Sequence, residues 1–410
     1  MVKLKLKMIV LLVVFLTPFY ASTVFAIEFK QGGVDWQLNA SLRSQLIYQM
    51  SERSDNPAVD RTSFVLETPG NSWIRATAAY QKIAAVIEIG LAFNNGDDAS
   101  FGAGVNENRY FRHAYVTYTI DEGMQLLVGR TWSLLALDGP YQRMAWDNGL
   151  WGAGDLFSFR HEQIQLSYKS GSVTTKVAIE DTFREDQLKY CNNFGLTGEY
   201  AVEDPIPALL GSITYMDKGV ILSPSFFVQS YNLKSATEKD ITVTSYAAAL
   251  NAGYKTSSFG VSGEFWYGQN LYMHMAESNI DDHNGFKLQR YDASTIMGKP
   301  IANPSGDDIE DVISMGGWLQ VALFFGNTTL RTGGGYQESE TGLDTTGYEK
   351  HVATWAVFAN YEYPIFQSFR VIPGVAYYNW GKDADKNLFG SGKNELGYDT
   401  FIGMFFQYDF

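Results

Sequence analysis

The chain closes on Glu395-Leu396-Gly397-Tyr398-Asp399-Thr400-Phe401-Ile402-Gly403-Met404-Phe405-Phe406-Gln407-Tyr408-Asp409-Phe410. The even positions of this stretch, from Leu396 and Tyr398 to Tyr408 and Phe410, form one apolar, aromatic row. The odd positions mix Glu395, Asp399, Gln407 and Asp409 with glycine and phenylalanine. A period of two is strand periodicity, because successive side chains leave opposite faces of a pleated chain. The same alternation runs through 36–46, with Trp36, Leu38, Ala40, Leu42 and Leu46 on one side. It recurs through 83–93, where Ile83, Ala85, Ile87, Ile89, Leu91 and Phe93 share a face, and through 173–179, where Val173, Val177 and Ile179 oppose Thr174 and Lys176. A soluble sandwich alternates as well, so the decision falls to the strand ends.

Those ends are unequal. Short turns are expected at 81–82, 119–123, 169–172, 217–219, 255–258, 326–328 and 364–368. The connections between them are mostly much longer, at 94–108, 132–159, 183–205, 274–310, 337–350 and 381–396, with 232–241 a shorter exception. Just ahead of each short turn stands an aromatic residue: Tyr80, Tyr118, Tyr168, Tyr215, Tyr254, Phe325 and Tyr363, while the chain itself ends in Phe406 to Phe410. Amphipathic rings repeated at one end only suit a membrane interface, and a soluble sandwich has no use for them. Eight descending strands with eight ascending partners make sixteen. Lipid offers no hydrogen bonds to an open sheet edge, so the last strand has to pair with the first. The sequence therefore predicts an all-β fold, a transmembrane antiparallel β-barrel of 16 strands. It has short periplasmic turns and long outer loops. The strand limits blur at 62–72 and 205–240, where Pro69, Pro205, Pro207 and Pro224 fall.

Composition agrees and narrows the classes. There are 9 Trp, 25 Tyr, 27 Phe and 39 Gly against 11 Pro, a balance that favours strands joined by tight turns. Residues 1–26 read as a signal peptide: Lys3, Lys5 and Lys7, an apolar run over 8–16, then Val24-Phe25-Ala26 as a cleavage site. That leaves 27–410 as a single transmembrane barrel domain. The formal charge of −14 falls further when the three lysines of that segment go, and so strongly acidic a chain argues against nucleic acid as a partner. Beyond residue 26 no stretch approaches the roughly 18 apolar residues of a membrane helix. With Cys191 alone, no disulfide framework within one chain is possible.

At this point the chain resembles the sixteen-stranded bacterial outer-membrane porins, the general porin superfamily. The terminal phenylalanine after alternating aromatics is similar to the assembly signal of that family. Leu127-Val128-Gly129-Arg130-Thr131-Trp132-Ser133, followed by a long segment ending Phe157-Ser158-Phe159-Arg160, resembles the porin strand that leads into an inward-folded third loop. Gly129 to Ser133 also resembles the dicarboxylate-permeating porins of the DcaP-like group, although 27–34 is too short for the N-terminal helical extension found there. The resemblance implies an integral outer-membrane porin, a passive diffusion channel for small hydrophilic solutes. It implies contacts with outer-membrane lipid and lipopolysaccharide, and assembly as a homotrimer. It needs no cofactor. A substrate-specific outer-membrane channel is the alternative.

Selectivity in such a channel is set by the width and the lining charges of its narrowest point. Residues 132–159 are the constriction loop. They hold Trp132, Trp146, Trp151 and Phe157, and they bend at Gly139, Pro140, Gly149, Gly152 and Gly154. So many large apolar groups are rare in a disordered exterior loop, and packing against the inner wall is the economical reading. Asp138, Asp147 and Asp155 supply acids there, and Arg143 supplies one base. Arg43 and Arg75 have lumen parity on the facing wall, where they either line the pore or pair with Glu88. The resemblance adds Arg130 and Arg160 to Arg75 as a basic cluster, yet strict alternation points Arg130 and Arg160 outward, so each needs a bulge to re-aim it. Arg109 and Arg112 are expected at the outer rim. Acids facing arginines across a pore create a transverse field, and a mild anion preference for carboxylates follows.

Barrel enzymes are the remaining class. A nucleophilic relay needs a histidine beside a serine, and none of His113, His161, His274, His283 and His351 stands in such a motif; Gly-x-Ser-x-Gly and His-Glu-x-x-His are absent. No catalytic residue and no metal ligand is assigned, and the acidic run Asp307-Asp308-Ile309-Glu310-Asp311 reads as solvated loop.

Overall fold

The computed structural model describes residues 27–52, 60–69, 71–91, 111–135, 139–144, 149–150, 152–156, 160–182, 200–203, 206–235, 239–271, 301–302, 309–341, 349–382 and 395–410. Among them there is no helix. The strands are β1 (Ile27–Gln31), β2 (Val34–Glu52), β3 (Arg61–Glu67), β4 (Trp73–Tyr80), β5 (Ile83–Gly90), β6 (Phe111–Asp121) and β7 (Met124–Trp132). They continue with β8 (Arg160–Ser170), β9 (Val173–Asp181), β10 (Tyr200–Glu203), β11 (Ala208–Asp217), β12 (Val220–Ser235), β13 (Ile241–Lys255) and β14 (Phe259–Gln269). The last are β15 (Ile301–Ala302), β16 (Ile309–Glu310), β17 (Val312–Phe325), β18 (Thr328–Thr341), β19 (His351–Phe366), β20 (Phe369–Lys382) and β21 (Glu395–Asp409).

Each barrel strand pairs antiparallel with the next, and β2 pairs with β21 from Ser41↔Asp409 to Glu52↔Tyr398, which closes the cylinder. Two staves are broken into pieces. β3 and β4 both pair with β2, and the break between them contains Pro69. β10 and β11 both pair with β12, and their break contains Pro205 and Pro207. Proline lacks the N–H a ladder needs, so it interrupts a strand or sits where no bond is missed. With these pairs joined, and with β1 and the β15–β16 hairpin set aside, the barrel has sixteen staves. β1 prolongs the seam. Phe410 and Ala40 exchange both backbone hydrogen bonds, at 2.8 and 3.0 Å, and β1 then takes over the edge of β2 from Ile27↔Leu38 to Gln31↔Val34.

Seven links of two or three residues between neighbouring staves lie at one end, the end that also holds Phe410. Gly123 and Gly219 serve two of them with φ of +93° and +83°, and a Cβ on either would sit within 2.5 Å of the carbonyl of Lys169 or Lys255. The burial pattern is inverted relative to a soluble fold. The outer face carries Val128, Ile164, Ile179, Phe226, Phe265 and Leu319, all exposed, while Gln45, Gln49, Gln163, Gln165, Gln229 and Asn251 are buried inside. An apolar outside of this extent is a lipid-facing surface. The girdle is present as well: Tyr80, Tyr118, Tyr168, Tyr215, Tyr254, Phe325 and Tyr363 are each 40–57 % exposed beside their short turns. One detail of the last strand differs from strict alternation. Leu396 is fully buried, because the register shifts at Gly381, and Gly381 and Gly397 both adopt positive φ. That irregularity turns Leu396 from the lipid row into the interior.

Candidate functional site

The segment after β7 folds into the lumen. Leu134, Leu135 and Leu156 are buried against Ala178, Leu210, Phe227 and Trp266 of the wall. Met144, Leu150 and Ala153 are buried against Trp318, Phe358, Tyr378 and Phe405. Polar bonds fix the same path. Tyr141 N donates to Gln320 Oε1 (2.9 Å), and Asn360 Nδ2 donates to Tyr141 O (2.6 Å). Tyr378 Oη donates to Gly149 O (2.9 Å), Trp266 Nε1 to Gly154 O (2.8 Å), and Leu156 N to Glu264 Oε1 (3.0 Å). The wall makes room with glycine. Gly154 has φ of +112°, and a Cβ there would lie 2.3 Å from Gly317 O; one on Gly335 would lie 2.2 Å from Ala153 O. Backbone meets backbone at this crossing, which only glycine allows.

The other side of the lumen carries charge. Glu88 is 1 % exposed and takes two arginines: Arg75 Nε donates to Oε2 (2.8 Å) and Arg112 Nε to Oε1 (2.7 Å). Arg112 also donates to Asn71 Oδ1 (3.0 Å). Alternation would have sent Arg112 to the lipid face. A register shift between Glu88 and Ile89 opposite His113 and Phe111 inserts Arg112 as an extra residue and turns it inward. This is the bulge-and-arginine device expected at Arg130 and Arg160, built one strand earlier, and it removes Arg112 from the rim where the sequence had placed it.

A second group lies beside Tyr141 of the inward loop. Arg143 and Arg331 hold their guanidinium carbons 3.8 and 4.1 Å from the centroid of the Tyr141 ring. Arg331 pairs with Glu362, and Arg370 reaches Glu362 (3.5 Å) and Asp409 (2.8 Å). In the first group the acid is covered and an arginine reaches water, whereas in the second Asp409 is as exposed as Arg370. Arg75 exposes 38 % of its side chain against 1 % for Glu88.

The expected site residues separate accordingly. Arg75 and Arg143 lie on the lumen, and Arg43 is on the inner face of β2 with its Nε bonded to Ser41 Oγ (3.1 Å). Arg130 lies on the outer face beside Val128 and bonds Glu162 there (2.9 Å), so no bulge re-aims it. Arg160 is stacked on the Trp132 ring at 3.6 Å. Asp155 is 1 % exposed and sits against Gly139 and Gly149, where it braces the loop internally and does not face the lumen. Asp138, Asp147, Trp146, Trp151 and Phe157 lie outside the described residues, as do Arg109, Cys191, His274 and His283. The arrangement nearest to a catalytic relay is Thr131–His113–Glu88. His113 Nδ1 is 3.0 Å from Thr131 Oγ1, but its Nε2 is 3.9 Å from a Glu88 oxygen already held by Arg112. That gap is too long for a hydrogen bond, so the relay is not formed. Among the described residues no group of three or more His, Cys, Asp or Glu is placed to hold a metal ion.

No family model and no curated protein matches the sequence. Solved structures do. The chain is similar to the outer membrane channel DcaP of Acinetobacter baumannii with a TM-score of 0.63 and 17 % identity, over 93 % of this chain and 99 % of that one. It is similar to OmpT of Vibrio cholerae, an outer membrane protein, with a TM-score of 0.56 and 13 % identity over 94 % and 100 %. It is similar to OmpF of Salmonella typhi, solved with daunomycin, with a TM-score of 0.55 and 12 % identity over 94 % and 100 %. The fold is therefore a closed sixteen-stranded antiparallel barrel, the fold of these outer-membrane proteins.

Proposed function

We propose that the chain is a passive channel of the bacterial outer membrane with a mild preference for anions, carboxylates among them, and that it catalyses no reaction. In this reading residues 1–26 are removed on export, the short-turn end faces the periplasm, and three copies associate. The apolar girdle meets lipid and the outer rim meets lipopolysaccharide. The observation that carries the anion preference is the unequal burial of the lumen charges. Glu88 is withdrawn beneath Arg75 and Arg112, and Glu362 is shared by Arg331 and Arg370. A passing ion therefore meets guanidinium first. Arginine keeps its charge at every physiological pH, and its planar fork matches a carboxylate. The acidic total of the chain does not oppose this, because permeation depends on the local field at the narrow zone. Strong steering by the remaining surface is screened within about 8 Å at physiological salt.

The decisive measurement is the reversal potential of purified channels in a planar bilayer under a potassium chloride gradient. Chloride should permeate more readily than potassium. A cation-selective reversal potential overturns the proposal.

A further inference from the structure

We propose that the carboxyl of Glu180 holds a proton that it shares with Gln163 while the inward loop is docked, and that the root of the loop is released as the pH rises and that proton is lost. The inference goes beyond the channel reading and holds whichever ion the channel prefers.

The loop leaves β7 after Trp132 and packs at once. Ser133, Leu134 and Leu135 are buried, the two leucines together with Leu156 against Ala178, Ala208, Leu210 and Phe227. In the same wall β8 sets Gln163 directly opposite Glu180, and β11 sets Ala208 on the other side of it. Gln163 is 4 % exposed, and Glu180 and Ala208 are fully buried. The Ser133 hydroxyl and the Leu134 N–H approach the carboxyl from the loop root. Glu180 therefore lies beneath the first residues of the loop, enclosed by apolar side chains. The charged or titratable groups on the inner face around it are Lys176, four residues earlier on β9, and His161, two residues before Gln163 on β8; β11, β12 and residues 133–135 bring none to this face. Among the described residues Glu180 has no ion-pair partner.

The hydrogen bonds at this pair are one proton short. Gln163 turns its amide N–H groups to two backbone oxygens at the end of β7, Thr131 O (3.2 Å) and Trp132 O (3.0 Å). That fixes which end of the amide is which and leaves Oε1 as an acceptor. Gln163 Oε1 has no donor, and neither oxygen of Glu180 completes a hydrogen bond of ordinary geometry. Gln229 lies a further strand away on β12, accepts from Thr182 (2.7 Å), and its Nε2 reaches neither residue. An ionised carboxylate only accepts, so acceptor would face acceptor in an apolar enclosure, which is costly. A neutral acid resolves both. Its O–H donates to Gln163 Oε1, and its carbonyl oxygen stays open to Ser133 and Leu134. With the root undocked, Glu180 meets water, where a glutamate ionises above about pH 4.3. Docking then takes up one proton at any higher pH. The docking equilibrium therefore weakens as the pH rises, by at most about tenfold per pH unit.

Infrared spectra of the purified full-length barrel at neutral pH read the proton directly. The wild type should show the carbonyl band of a protonated carboxylic acid. Glu180→Gln, which keeps the shape and offers Gln163 an N–H, should lack it. In planar bilayers the wild-type channel should show brief high-conductance events, and their frequency should rise with pH by up to about tenfold per unit. In Glu180→Gln that dependence should disappear. Gln163→Leu removes the acceptor and leaves Glu180 in place. If Glu180→Gln fails to fold, the acid band of Gln163→Leu should still move to higher frequency, as for an O–H without an acceptor; a band that stays put overturns the sharing with Gln163. If the wild type and Glu180→Gln coincide in the acid region of the spectrum, Glu180 holds no proton and the proposal fails. If the two channels share one pH dependence, the proton does not govern the loop root and the proposal fails equally. A cation-selective wild type would sink the proposed anion preference and leave this result standing.

Discussion

From β14 to β20 the inner wall is pared down at Gly316, Gly333 and Gly335, and a loop lies directly on its backbone. From β4 to β6 the wall carries Arg75, Glu88 and Arg112, and its polar groups are satisfied by one another. The first region narrows the lumen by shape and the second by charge. Each achieves burial of polar backbone or of a carboxylate in a different way. Where the loop docks, the close approach lets Trp266 reach Gly154 O. Where no loop docks, Glu88 can stay buried only because two guanidinium groups cover it, since an unpaired buried carboxylate is costly.

The comparison breaks most completely at Gly154. In Gly154→Val, a β-branched side chain is placed at φ of +112° against Gly317 O and Tyr336 N. Neither backbone can yield without disturbing the β17–β18 ladder, so the loop lifts. Strain at such a position and overpacking each cost roughly 1–3 kcal/mol. The barrel itself does not depend on the loop for any ladder bond. The expected result is a larger single-channel conductance from a barrel that still resists unfolding in detergent on a gel. An unchanged conductance would mean that the described crossing does not set the width.

A smaller effect, confined to the charged region, is expected from Arg112→Ala. Glu88 keeps Arg75 but loses its better covered partner, whose side chain is 13 % exposed. Leaving a buried charge-assisted hydrogen bond unmade costs about 1–3 kcal/mol, so the urea midpoint should fall and the proposed anion preference should weaken. Adding Glu88→Gln removes the stranded charge and should restore most of the midpoint. If the double variant is no more stable than Arg112→Ala, Glu88 is not held by that pair.

How much of this was legible beforehand follows from what alternation can and cannot encode. The girdle from Tyr80 to Tyr363 and the closing row of the last strand are periodic, and periodicity survives in the sequence as a pattern. The inward loop was legible from its density of large apolar residues and glycines, and Asp155 shows the limit of that reading: a carboxylate in such a loop looks like a pore charge until its neighbours Gly139 and Gly149 enclose it. Arg112 was misread because a bulge adds one residue and reverses every parity beyond it, with no required residue type to announce it. The meeting of Arg331 with Tyr141 joins residues 190 positions apart, and no local pattern carries a contact of that range.

Arg130 sharpens the comparison from the opposite side, through the smallest expected effect. It is one of the three arginines that the resemblance singled out, and it sits only two strands from the Glu88 group. Its ladder partner across β7 and β8 is Glu162, and Val128 two residues before it is a lipid-facing side chain. Thr131, the next residue, is the one that turns inward to His113. An Arg130→Ala channel therefore loses an ion pair on the outside of the wall, where the Glu162 side chain is 56 % exposed. Such pairs contribute about 0–1 kcal/mol, and the lumen field is separated from this one by the thickness of the sheet. The reversal potential of Arg130→Ala should match that of the parent while that of Arg112→Ala does not. A shift in Arg130→Ala as large as in Arg112→Ala would mean that the wall between β6 and β8 does not divide inside from outside as its ladder requires.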